Sequence, residues 1–94
     1  MFDKVLWQFK KCVRENKFIV TLYADEELDE DELSIFDIER AILTGNIIER
    51  QKDSEKSEWK YLVRGQAIDK KDIIIVAKPT STGKMAIITV YRDE

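Results

Sequence analysis

Five side chains in the second half of the sequence carry the chemistry that a phosphate-bearing ligand would need: Tyr61, Arg64, Lys84, Tyr91 and Arg92. A tyrosine can stack on a base or exchange a proton, and an arginine grips phosphate bidentately. Each also has a plain structural reading. Tyr61 and Tyr91 can cap a core with their hydroxyls outward, as sheet tyrosines do. Lys84 can be a solvated turn residue. It ends the stretch "STGK", which suggests a phosphate loop, but Lys78 stands where that motif needs glycine and Met85 where it needs Ser or Thr, so a hairpin turn with Gly83 at positive φ is expected instead. The sequence has no histidine, hence neither the commonest general base nor the commonest metal ligand. With Cys12 as the only cysteine, neither a zinc cluster nor an internal disulfide can form. No cofactor or metal is expected.

A second set of residues is acidic. Between Tyr23 and Glu39 lie nine acids and no base, and the remainder holds sixteen bases against ten acids. The run lacks the central glycine and the spacing of a calcium loop. Exposed carboxylates keep ordinary pKa values and are weak catalysts. The run therefore reads as a solvated helix face or as a docking surface for a basic partner, with Glu26, Glu27 and Glu30 as its contacts. The basic remainder can meet a polyanion that the acidic run would repel.

These residues must be positioned by a small domain. Ninety-four residues make one domain; 44% apolar and 37% charged content suits a soluble globular chain. The longest apolar runs are about five residues, far short of the ~20 needed to cross a bilayer. The start, MFDKVLWQFKK, does not have the form of a signal peptide. A cytoplasmic protein is expected. Residues 2–15 form an amphipathic helix through Phe2, Val5, Leu6, Phe9 and Val13, with Trp7 and Trp59 as core residues and Cys12 as a small buried hydrophobe. "KFIVTL" (17–22) reads as a strand, "YADEELDEDE" as a short helix. Ser34 and Asp37 have capping-box spacing, Leu33 and Ile38 staple spacing, Ile35, Ile38 and Ile42 form the inward stripe, and Gly45 stops a helix over 34–44. "NIIERQ" and "EWKYLVRG" are strands around "KDSEKS", "DIIIVAKP" is a central strand covered on both faces, and "KMAIITVYRDE" is the last strand. The fold is α+β: a mainly antiparallel sheet of four to five strands with the N-terminal helices on one face. Alternation along the strands puts Tyr61 and Arg64 on opposite faces, and Tyr91 and Arg92 likewise.

The order of motifs adds a resemblance. Thr21 and Ala24 make a "T-x-x-A" opening of a short helix. Ser34, Asp37, Ile38, Ala41, Ile42, Gly45, Ile47, Ile48 and Glu49 make "S-x-x-D-I-x-x-A-I-x-x-G-x-I-I-E", and Ile87 to Arg92 read "IITVYR". Over residues 17–92 the chain resembles a prokaryotic domain-of-unknown-function family of small α+β proteins. That family is similar to RelE/MqsR-like toxins and often stands beside a YgiT-type zinc-finger antitoxin. It usually carries "T-x-H-A" and an arginine soon after; this chain has Tyr23 and Glu27 there. The resemblance implies a RelE/MqsR-like fold and the toxin of a bacterial type II toxin–antitoxin system, a metal-independent ribonuclease partnered by an antitoxin. Such cleavage needs a base for the 2′-hydroxyl, a cation on the phosphate and an acid for the leaving oxygen. Tyr61, Arg64 and Tyr91 are then the catalytic candidates, and Lys84 and Arg92 the RNA contacts. The alternative is a binding module without catalysis that docks a basic partner through its acidic helix.

Overall fold

An apolar stripe of Val5, Phe9, Cys12 and Val13 winds the first segment into α1 (Asp3–Arg14), with the last three of these buried. Asn16, at φ 59°, ends it in the left-handed conformation, and the Lys17 N–H returns to the Cys12 carbonyl at 2.7 Å. The computed structural model describes residues 2–53 and 58–93, so most of the expected "KDSEKS" loop lies outside the described residues. The next strand, β1 (Phe18–Val20), is shorter than the expected 17–22 because Thr21 is taken up as the cap of α2 (Leu22–Glu30). The Thr21 hydroxyl accepts the Ala24 N–H at 3.2 Å and donates to the Ile88 carbonyl at 3.3 Å, so one side chain both caps the helix and pins it to the last strand. Ala24, fully buried, lets the helix approach the sheet.

The helix α3 (Ile35–Thr44) begins where the capping spacing put it. Asp37 Oδ2 accepts the Ser34 N–H at 2.8 Å, and its Oδ1 accepts the Ile68 N–H at 2.8 Å, so the same carboxylate fastens the helix to the turn after β3. This inward-facing Asp37 corrects the expected stripe. The buried residues are Asp37, Ile38, Ala41 and Ile42, and Ile35 is 43% exposed. Gly45 does stop the helix, but its φ of −98° is one that any residue adopts. Glycine is required there for space: a Cβ would lie 2.5 Å from both the Ala41 and the Arg64 carbonyl oxygens.

The remaining chain is β: β2 (Asn46–Asp53), β3 (Glu58–Gln66), β4 (Asp72–Pro79) and β5 (Met85–Arg92). The strand order is β1-β5-β4-β3-β2; β2 to β5 are antiparallel neighbours, while β1 runs parallel to β5, with Ile19 opposite Ala86. Gly83, at φ +82°, turns the β4–β5 hairpin as the sequence predicts. One face of the sheet presents Tyr61, Val63, Ile73, Ile75, Ala77, Ile87 and Val90 to the three helices, and this is the main core. Among the described residues, no helix packs on the other face. Its own smaller cluster is Leu62, Ile74 and Val76, with Ile88 packed against it. The central strand β4 is thus buried on both faces, but on the second by cross-strand side chains alone. Both tryptophans lie outside the core: Trp7 is 58% exposed and Trp59 40%. Cys12 is buried, and burial pushes its thiol pKa up. Among the described residues, no helix is long and apolar enough to cross a membrane.

Candidate functional site

The sheet divides the five candidate residues among four places. Arg64 and Tyr91 share the helix-free face. Both stand opposite Ile74, from β3 and β5 respectively. Two strand spacings put their backbones ~10 Å apart. Between them lies the apolar floor of Ile74 and Val76, next to Leu62. Tyr91 is 38% exposed. Arg64 Nε is held by Asp93 Oδ2 at 2.7 Å, an ion pair that reaches across β4 because its partners flank that strand. Farther along the same face Lys78, paired with Ala86, sits 3.9 Å from the Glu58 carboxylate.

Tyr61 lies on the opposite face, in the core beneath α1. Its ring meets Phe2 and Phe9 edge-on, each at 5.9 Å between centroids. It is 7% exposed, and its hydroxyl makes no hydrogen bond within the protein. Beside it opens a notch of about 430 Å³, lined by Phe2, Asp3, Lys4, Val5, Arg50 and Tyr61. Arg50 stands directly opposite Tyr61 in the β2–β3 register. Its guanidinium carbon is 3.9 Å from the centre of the Trp59 ring and 5.7 Å from that of Phe2. Among the described residues neither Arg50 nor Lys4 is in an ion pair. Sequence reading missed both. The signal for Arg50 was its place at the same distance from the β2–β3 loop as Tyr61, which a hairpin converts into adjacency. Lys4 had no signal, because helix-to-sheet packing brings it there.

Arg92 belongs to a third place. It donates to the Asp31 carbonyl and to Asp69 Oδ2, each at 3.2 Å. It lines a cleft of about 620 Å³ with Glu30, Asp31, Glu32, Lys71, Asp72 and Asp93. Five carboxylates against two cations repel phosphate, so Arg92 here ties turns together. Asp69, exposed, is held below its ordinary pKa by the Lys71 N–H and by Arg92. Lys84 sits at the far end of β5 from Arg92, ~25 Å along the strand, at the hairpin tip.

The acidic candidates also separate. Glu26 and Glu30 are exposed, one helical turn apart on the outer face of α2. Glu27 turns inward, where its Oε1 accepts the Val90 N–H at 3.1 Å. Beyond Ile87 that edge of β5 has lost its pairing with β1, so α2 closes it with a carboxylate. Asp25, Glu26, Asp29, Glu30 and Glu32 are exposed and, among the described residues, make no ion pair. No three His, Cys, Asp or Glu side chains among the described residues are placed to share a metal ion.

A mixed five-stranded sheet with helices on one face and a polar-rimmed apolar strip on the other defines an α+β domain built to leave one sheet surface accessible. The chain belongs to the family described as Domain of unknown function (DUF4258), whose model matches residues 20–92. The match begins in β1 and ends with β5, so α1 lies outside it. No curated protein and no solved structure matches the chain.

Proposed function

We propose that this protein is the toxin-like component of a bacterial toxin–antitoxin pair and acts on RNA through the helix-free face of its sheet. The observation that carries the reading is the placement of Arg64 and Tyr91 on that face, either side of Ile74. An exposed tyrosine beside an apolar strip offers a stacking surface to an unpaired base. Arg64 can exchange its carboxylate partner Asp93 for a phosphodiester and grip it bidentately. In a ribonuclease of this design Tyr91 handles the proton and Arg64 the phosphate charge. Tyr61 takes no part in it, being on the other face. The substrate class comes from the resemblance of the sequence motifs to a family that is in turn similar to RelE/MqsR-like toxins, and a YgiT-type antitoxin would cover this face.

A second reading has its own support. The outer acids of α2 lack ion-pair partners among the described residues, and mutual repulsion makes such a surface receptive to a basic protein. There the sheet is scaffold and the protein is a binding module without catalysis.

Induction in a bacterial host separates the two. On the first reading growth arrests, Arg64→Ala and Tyr91→Ala each relieve the arrest at unchanged soluble protein level, and the double change Glu26→Gln with Glu30→Gln leaves it intact. Relief by the acidic pair alone selects the binding module. Normal growth with abundant soluble wild-type protein refutes the active toxin.

A further inference from the structure

We infer that the notch between the first turn of α1 and the β2–β3 hairpin is a binding site for a phosphate group carried by a nucleotide or an RNA strand, held by Arg50, Lys4 and the Tyr61 hydroxyl. The assignment is independent of the toxin reading and of the helix-free face. It begins from Tyr61. Its ring packs between Phe2 and Phe9, its hydroxyl makes no hydrogen bond within the protein, and, since no buried polar side-chain atom among the described residues lacks a partner, that hydroxyl is open to solvent where Tyr61 lines the notch.

Two cations stand around the notch against one carboxylate, Asp3. Arg50, opposite Tyr61 in register, is held between the Phe2 and Trp59 rings. A guanidinium already fixed by stacking loses little rotamer freedom when it takes a ligand, and its fork matches two phosphate oxygens. The first turn of α1 forms the opposite wall, and its leading N–H groups have no side-chain cap. They present the positive end of the helix dipole, the usual seat of a phosphate. Lys4 adds a second cation, and Asp3 is the single carboxylate of the lining. A hydroxyl donor, a planar cation and backbone N–H groups together suit a tetrahedral oxyanion. The exposed Trp59 ring beside Arg50 adds a surface on which an attached base can stack. α1 contributes half of this site from outside the matched family segment, and β2 and β3 contribute the other half from within it.

The test is an amide-resolved NMR titration of the full chain with inorganic phosphate, uridine 5′-monophosphate, uridine and a short oligouridylate. Phosphate and the monophosphate should shift the amides of Asp3, Lys4 and Val5 and the Arg50 side-chain N–H, saturating near ~1 mM, while uridine should not. Arg50→Ala should weaken binding ~10-fold, and Tyr61→Phe, which keeps the ring and its packing, at least ~3-fold. Tighter binding of the oligouridylate than of the monophosphate assigns the phosphate to an RNA strand; equal binding assigns it to a mononucleotide. The inference is overturned if these amides stay still up to ~20 mM ligand, if uridine moves them as far as its monophosphate does, or if Arg50→Ala and Tyr61→Phe bind as the wild type.

Discussion

Single residues here hold more than one element each, and that is where their types are explained. Thr21 caps α2 and binds the β5 backbone; Asp37 caps α3 and binds the turn after β3; Glu27 completes the β5 edge. Asp69 carries one of the shifted titrations among the described residues. The Lys71 N–H, then Arg92, hold its carboxyl below the ordinary value of 3.8. A carboxyl with a lowered folded-state pKa contributes stability above its unfolded value and loses it as the pH falls through the folded one. Asp69→Asn should therefore lower stability slightly in the neutral range, where the carboxylate is charged, and the wild-type and variant unfolding curves, followed by circular dichroism, should converge as the pH falls below 3.8. The opposite faces of Tyr61 and Arg64 were legible from strand parity, because alternation is a local property. The partners of Tyr61 and Arg92 were not: they come from α1, from the α2–α3 connection and from the β3–β4 turn, and no local pattern announces those contacts.

At the scale of elements, α3 lies against β3 with no room between them for a side chain at Gly65. A Cβ at Gly65 would stand 1.9 Å from the Ala41 carbonyl oxygen, inside backbone that cannot move aside. Gly65→Ala should destabilise by about 3 kcal/mol or more, seen as a lower urea midpoint with an unchanged slope. The same change at Gly83, where nothing lies within 4 Å, should cost about 1 kcal/mol through its positive φ alone. The elements themselves could be read from the sequence because each carries its own period or cap: the stripe of α1, Ser34 with Asp37, the apolar alternation of β3. The inward stripe of α3 was misread at Ile35, since a buried Asp37 has no hydropathy signature. The tryptophans were misread because size and apolarity favour the core, whereas Trp59 is kept at the surface by stacking on Arg50.

For the whole molecule, the sheet gathers charge by location: carboxylates at the α2 edge and around Arg92, and at the opposite edge beside Tyr61 two cations, Lys4 and Arg50, that make no ion pair among the described residues. That separation lets one small domain attract an anion at one end and a cation at the other. The sheet also joins distant parts of the chain. The pairing of Phe18–Val20 with Met85–Ile87 and the packing of α2 on β5 place the final strand inside the sheet, with elements of the first third of the chain resting on it. A chain cut after Lys84 should lack a cooperative unfolding transition, because β1 and α2 have then lost the surface they close on. This has a consequence in time. Translation delivers residues at about 5–20 per second and delivers β5 last. Until β5 has emerged, the nascent chain therefore carries its helices and hairpins without the strand that unites them. The surfaces that rest on this strand cannot exist before it does.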